Sequence, residues 1–242
     1  MANQTQASGT CWVLTNDDGI DAPGLAALAV ATDHAPGPRV VYAPVGPQSG
    51  CAHVVTTHAP IRLADHAPGR WSIDGSPADC VRVALHRLSG EVGWVVSGIN
   101  PGGNLGTDIY HSGTVAAVRE AALHGVPGIA LSHYIKRGKA IDWDRTARWA
   151  ARVIRELMGR PHLPGTFWNV NFPHLDADDP EPGMVPCLVD PSPLPLGYRE
   201  TPEGLVYQAN YHERPRRIGS DVDVCFGGQI SVSRISVDLP GD

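Results

Sequence analysis

Cys11-Trp12-Val13-Leu14-Thr15-Asn16-Asp17-Asp18-Gly19-Ile20-Asp21-Ala22-Pro23-Gly24 is the stretch on which the fold turns. An apolar run, Cys11 to Leu14, is followed at once by two adjacent carboxylates and then by turn residues. The helix-forming run Leu25-Ala26-Ala27-Leu28-Ala29-Val30 comes next. Strand, turn and helix in that order open an α/β unit, and that turn is where open α/β sheets bind ligands. Neighbouring Asp side chains repel, so burying both ionised at the mouth of a sheet asks for a metal or another positive partner. Asp17-Asp18 also reads as an exposed turn in which Asp18 or Asp21 caps the helix.

The alternation continues along the chain. Val40 to Ala43, Trp94 to Ser97 and Gly128 to Ser132 read as further strands. Pro77 to Leu88 reads as a helix with Ser76 as N-cap, Pro77 at the first helical position and Asp79 in the first turn. Val115 to His124, closed by Gly125, is a second, and Trp143 to Met158 a third. In the third, Trp149, Val153 and Leu157 recur at four-residue spacing, while Arg145, Arg148, Arg152 and Arg155 supply a solvated face. This pattern predicts an α/β fold with a mostly parallel sheet covered on both faces. After Phe167-Trp168-Asn169-Val170-Asn171-Phe172-Pro173 the character changes. Pro173 to Pro202 is rich in Pro, Asp and Gly, with short strand-like pieces beyond it at Leu205-Val206-Tyr207 and Gln229 to Val232. We expect one domain: a disordered leader at 1–10, a catalytic core at 11–173, and an arm or hairpin at 174–242 that leaves the main sheet.

Composition excludes several classes. A chain of 242 residues with 42% hydrophobic content can bury a full core. With a formal net charge of -6 and no run of Lys and Arg interleaved with aromatics, a nucleic-acid polymer is not expected as the main partner. Residues 1–10 lack a basic and apolar signal, and no segment has the length of a membrane span, so a cytoplasmic protein is expected. Cys11, Cys51, Cys80, Cys187 and Cys225 form no Cys-x-x-Cys pair, and their odd number fits reduced thiols.

Three more loops follow predicted strands. Pro44-Val45-Gly46-Pro47-Gln48-Ser49-Gly50 is a rigid turn that presents the Ser49 hydroxyl. Gly98 to Asp108 is glycine-rich, lets the backbone approach a ligand closely, and carries the amides of Asn100 and Asn104. Ser112-Gly113-Thr114 directly precedes a helix, whose unpaired N–H groups and positive dipole end suit a phosphate; Ser112 equally reads as a plain N-cap. Parallel strands put their carboxyl ends on one rim, so Asp17, Asp18, Ser49, Asn100, Asn104 and Ser112 can face one crevice. These hard oxygen donors suit Mg²⁺ or Mn²⁺ rather than zinc or copper.

The loop contents are also literal motifs: Thr15-Asn16-Asp17-Asp18-Gly19-Ile20 with Ala22-Pro23-Gly24, Ala43-Pro44 with Ser49-Gly50, and Asp74-Gly75-Ser76-Pro77-Ala78-Asp79-Cys80-Val81. Ser97-Gly98-Ile99-Asn100 through Asn104-Leu105-Gly106, Ser112-Gly113-Thr114-Val115 and Asn169-Val170-Asn171 complete the series. With these, the chain resembles the SurE family, the survival-protein-E nucleotidases, over most of Val13 to Pro173. The resemblance implies a Rossmann-like three-layer α/β/α core and hydrolysis of nucleoside 5'- and 3'-monophosphates, with broader phosphatase or exopolyphosphatase activity plausible beside it. It also implies one divalent metal ion per subunit, Mg²⁺ or Mn²⁺, on Asp17, Asp18, Ser49 and Asn100, and phosphate contacts at Asn104, Ser112, Gly113 and Thr114. Dimers or tetramers that exchange C-terminal elements are implied as well.

Two departures stand out. The family's Tyr before Ser-Gly-Thr-Val is replaced by His111, with Tyr110 one place back, and Ser231 to Ser236 matches the closing strand only loosely. The chemistry expected is metal-assisted hydrolysis of a phosphomonoester, with Asp17 or Asp18 positioning or deprotonating the attacking water. His111 is the candidate proton donor to the leaving alkoxide, and also reads as a solvated loop histidine. Two alternatives remain at this point: a haloacid-dehalogenase-type phosphatase, from the near-motif Asp221-Val222-Asp223-Val224-Cys225, and a non-catalytic nucleotide-binding homologue. No Gly-x-Gly-x-x-Gly follows a strand, which disfavours a dehydrogenase.

Overall fold

A computed structural model describes residues 10–89, 91–136 and 138–238. The expected leader, Thr10 aside, lies outside the described residues. β1 (Cys11–Thr15) is buried along its whole length and is flanked on both sides by parallel neighbours, β2 (Arg39–Pro44) and β5 (Val92–Pro101). Burial on both faces is why β1 reads as an unbroken apolar run rather than an alternating one.

From β1 the chain moves outward to β2 and β4 (Arg70–Ile73), with β3 (Leu63–Ala67) antiparallel at the edge, and then crosses back to β5. β6 (Gly128–His133) and β7 (Thr166–Phe172) continue in parallel beyond β5. β3 is exposed throughout, so its sequence carries no alternation by which to recognise it. The direction of winding reverses between β1 and β5, and the crevice at such a reversal is the usual ligand site of an open α/β sheet.

Helices cover both faces. Trp12 and Leu14 point to one side and pack with Leu25 and Leu28 of α1 (Pro23–Ala31) and Trp149, Val153 and Leu157 of α4 (Trp143–Met158). Val13 and Val95 point to the other, against α2 (Pro77–Arg87) and α3 (Gly113–Leu123) through Val81, Ala84, Val115 and Val118. α2 starts on the expected Ser76, whose Oγ accepts from Asp79 N at 3.1 Å while Asp79 returns the bond to Ser76 N at 3.0 Å. α1 starts differently. Its N-cap is Ala22 with no side-chain cap, so neither Asp18 nor Asp21 caps it; Pro23 at the first position supplies the start.

Arg145 corrects the solvated-face reading of α4. Only 8% exposed, it donates to the carbonyls of Asp176 and Asp179 and stacks on Trp149, because the chain after β7 folds back over the helix. Arg148, Arg152 and Arg155 are exposed as expected.

The expectation that the whole C-terminal third leaves the main sheet is also corrected. β11 (Ile230–Ser236) pairs antiparallel with β7, and β8 (Met184–Pro186) pairs parallel with β11, which extends the sheet to nine strands. β7 would otherwise be an open edge, and Ile230 and Val232 complete the core there. Among the described residues, only the hairpin β9 (Tyr198–Thr201) and β10 (Gly204–Tyr207) stands apart as its own two-stranded sheet. Between β10 and β11, α5 (Asp221–Phe226) forms a helix in a stretch whose sequence reads as irregular. All five cysteines are unpaired, and among the described residues no helix is long and apolar enough to cross a membrane.

Candidate active site

The carboxyl end of β1 delivers Asp17 into the protein and leaves Asp18 half-buried. Asp17 is held from three directions. Its backbone oxygen accepts from Gln48 N at 2.7 Å, which ties it to the loop after β2. Its Oδ1 accepts from Thr114 Oγ1 at 2.6 Å. Gly113 lies flat against it: a Cβ built there would stand 2.8 Å from Asp17 Cβ and 3.0 Å from Cys51 Sγ. The carboxylate therefore abuts the N-terminus of α3, and only glycine allows that approach.

Burial is the larger cause of both carboxyl shifts. Asp17 is raised despite the Thr114 bond, and Asp18 is pushed up to about 7 by burial first and by the Asp17 charge second. Asp18 Oδ2 and Asn16 Oδ1 are buried with no hydrogen-bond partner among the described residues. An orphaned carboxylate oxygen beside a second carboxylate fits a cation. No group of three or more His, Cys, Asp or Glu surrounds them among the described residues. Any cation would thus rest on two carboxylates and neutral oxygens, a donor set of the Mg²⁺ and Mn²⁺ type.

The glycine-rich loop supplies the neutral donors. Asn100 sits at the end of β5 in register with Ser132 of β6, and its Nδ2 donates to Gly102 O at 2.8 Å. Asn104 Nδ2 donates to Ser132 Oγ at 2.8 Å, so β6 holds the Asn104 amide through a side chain and pairs with Asn100 through its backbone. Asn171 Oδ1 accepts from Asn104 N at 2.8 Å, and the Nδ2 groups of Asn169 and Asn171 donate to Asn104 O. Ser132, Asn169 and Asn171 were not read as site residues. Their signal in sequence was a polar residue near the carboxyl end of a buried strand, where apolar residues are the rule.

Ser112 caps α3: its Oγ accepts from Val115 N at 3.1 Å. A hydroxyl that accepts still has its own proton to donate, so the cap and a phosphate contact are compatible. Ser49 lies exposed on the loop after β2, next to Gln48. His111 is exposed on the lip, where its carbonyl accepts from Ala52 N at 3.2 Å. Asp221, the first residue of the dehalogenase-like near-motif, opens α5 instead of following β1; its carboxylate accepts from the backbone N–H groups of Gly106, Asp190 and Val222. A cavity of about 540 Å³ lined by Arg160, Trp168, Cys187 and Arg234 lies over β7, β11 and β8, away from this rim.

A mostly parallel, doubly wound sheet with helices on both faces, and with Asp17 held against the N-terminus of α3 near its switch point, defines a Rossmann-like α/β protein. Comparison with known proteins narrows that class. The family model described as survival protein SurE matches residues 12–187, and the chain belongs to this family. It is 50% identical, over 93% of its length and 99% of the relative's, to a Nostoc sp. protein named provisionally as a 5'-nucleotidase. A protein of Allorhizobium ampelinum named 5'-nucleotidase SurE is 37% identical over 94% of this chain and 91% of its own. The crystal structure of the SurE protein from Aquifex aeolicus superposes with a TM-score of 0.81 at 28% identity, covering 96% of this chain and 95% of that one.

Proposed function

We propose that this chain is a 5'-nucleotidase that hydrolyses nucleoside monophosphates to nucleoside and inorganic phosphate, on the rim where Asp17 meets the N-terminus of α3. The observation that carries the reading is the 2.6 Å bond from Thr114 to Asp17, because it joins a carboxylate pair to an anion-binding helix end. Relatives named 5'-nucleotidase support it.

Asp17, Asp18, Ser49 and Asn100 would hold one divalent cation, Mg²⁺ or Mn²⁺. When bound, such an ion supplies Lewis-acid polarisation of the phosphate and activation of water at neutral pH. The chain's own groups do the rest. The N–H groups of Gly113 and Thr114, the Ser112 hydroxyl and the second Nδ2 hydrogen of Asn104 donate to the phosphoryl oxygens as charge builds there. Asp18, with its unpartnered oxygen, orients the water and takes its proton. His111, exposed on the lip, would protonate the leaving alkoxide. These donors grip the phosphate and not the nucleoside, which favours activity on 3'-monophosphates, simple phosphomonoesters and polyphosphate as well.

The exposed Tyr198, Leu205, Val206 and Tyr207 of the β9–β10 hairpin support a homo-oligomer, at minimum a dimer. Five unpaired thiols favour a reducing, cytoplasmic setting. The test is phosphate release from a panel of 5'- and 3'-monophosphates, p-nitrophenyl phosphate and polyphosphate, in chelator and with Mn²⁺ or Mg²⁺ restored. Release from nucleotides that chelator abolishes is expected; full activity in chelator would refute the metal, and no release from any nucleotide would refute the enzyme.

A further inference from the structure

The loop that leads into α3 is held by segments distant in the chain as well as by its own turn. From Gly103 to Tyr110 it crosses the rim and tightens into a 3-10 turn over Gly106–Tyr110, and a segment more than a hundred residues later locks it in place. Asp108, 4% exposed, is the point of attachment. Its Oδ2 accepts from Arg214 Nη1 at 2.8 Å, from Tyr211 OH at 2.6 Å and from Leu105 N at 3.2 Å. Its backbone oxygen accepts from Ser112 N and His111 N, both at 3.1 Å. One residue therefore connects the Arg214 guanidinium to the first residue of the phosphate cradle. Asp221 adds a second tether by accepting from Gly106 N at 2.8 Å.

Arg214 is unusual for an arginine. Its side chain is fully buried and stacks over the Tyr211 ring at 5.0 Å. Gly106 leaves the room it needs, since a Cβ there would lie 2.9 Å from Arg214 Nη2. Burying a guanidinium is costly unless its partner is well placed, and removing it leaves the Asp108 carboxylate buried without its charge partner. Arg214, Tyr211 and Asp221 all lie beyond residues 12–187, the span the family model matches, whereas Asp108 lies within it.

We propose that Arg214 is a positioning residue for phosphate recognition: with Tyr211 it clamps Asp108, and through the Asp108 carbonyl it fixes Ser112 and the N-terminus of α3. This rests on the phosphate-binding reading of that helix end. A clamp of this kind acts on how tightly the phosphate is held, so its loss moves substrate and product affinity together.

The experiment compares wild type with Arg214→Met, Arg214→Lys and Tyr211→Phe, and with Leu157→Ala in the α4 core as a stability control. KM for a nucleoside monophosphate, the inhibition constant of inorganic phosphate, kcat and Tm are measured for each. Arg214→Met should raise KM and the phosphate inhibition constant in parallel by about tenfold. Tyr211→Phe should raise both by less, and Arg214→Lys should recover part of the loss. Leu157→Ala should lower Tm and leave both constants where they were. If Arg214→Met does not fold, Tyr211→Phe carries the comparison. Variants that lose Tm like the control while KM and phosphate inhibition stay at wild-type values overturn the proposal. Should the wild type prove to hydrolyse no nucleotide, the enzymatic reading fails by itself. Amide exchange at Ser112 then decides the clamp: faster exchange in Arg214→Met or Tyr211→Phe than in Leu157→Ala supports it, and unchanged exchange rejects it.

Discussion

Two adjacent carboxyls drawn into a protein without a counter-charge work against folding, and Asp17 and Asp18 show this in their raised pKa values. The sign follows from linkage. Asp18 titrates near 7 in the folded protein against an ordinary 3.8, so the folded state binds its proton more tightly. Its contribution to stability is present below the ordinary value and is lost as pH rises through about 7. In chelator, Asp18→Asn should therefore raise Tm relative to wild type above neutrality and lose that advantage in acid; an advantage that does not change with pH would contradict the assignment. The same substitution, like Asp17→Asn, should lower kcat/KM by on the order of a thousandfold with metal present. Ser112→Ala separates two roles of one hydroxyl. Loss of the cap should cost about 1 kcal/mol of stability in a melt, and loss of a transition-state donor about 2 to 4 kcal/mol in kcat. A fall in Tm with turnover untouched would leave Ser112 a cap and nothing more.

At the scale of elements, the site depends on how closely α1 and β5 approach. A Cβ on Gly24 would lie 1.9 Å from the carbonyl oxygen of Ile99, so α1 touches the strand through its backbone. Gly98, at a φ of 133°, lies in a conformation that side chains disfavour, and a Cβ there would meet Leu131 O at 2.3 Å. Gly24→Ala must push α1 off β5, at a cost of about 1 to 3 kcal/mol or more in urea unfolding. Because Ile99 precedes Asn100, activity should fall further than stability alone explains; an alanine variant with wild-type stability and rate would show that α1 adapts freely. In the sequence Gly24 reads as a turn residue and Gly98 as part of a loop open to a ligand, and neither reading contains the contact between α1 and β5. Close approach between two elements is a property of their packing, and a single chain segment carries no sign of it.

For the whole molecule, the main sheet and the hairpin separate two functions of the C-terminal third. β8, α5 and β11 complete the sheet and hold the rim loop, whereas β9 and β10 project with Tyr198 packed on Tyr207 and apolar side chains exposed. Removing everything after Pro173 would strip two strands from the sheet and expose β7, so an insoluble product is expected. Replacing only the hairpin by a short Gly-Ser linker should keep Tm near wild type and convert the oligomer to a monomer in light scattering. A full-length protein that is already a monodisperse monomer at micromolar concentration would refute the assembly.

The amino-acid sequence alone determined the order β1, α1, β2, α2, β5, α3, β6 and α4, the start of α2, and the place of Asp17-Asp18 after a buried strand, because each depends on near neighbours; the short strands β3 and β4 it did not disclose. Apolar runs bounded by turn residues, the Ser76 cap and Asp17-Asp18 at a strand end are local patterns with local causes. The tertiary structure decided what depends on distant partners: Arg145 buried under the returning chain, β11 closing the edge of β7, and Asn169 and Asn171 gripping Asn104. The union of Asp108 with Arg214 belongs to the same group. Hydrogen bonds between segments separated by tens to more than a hundred residues leave no periodicity in either segment, so only the folded chain discloses them.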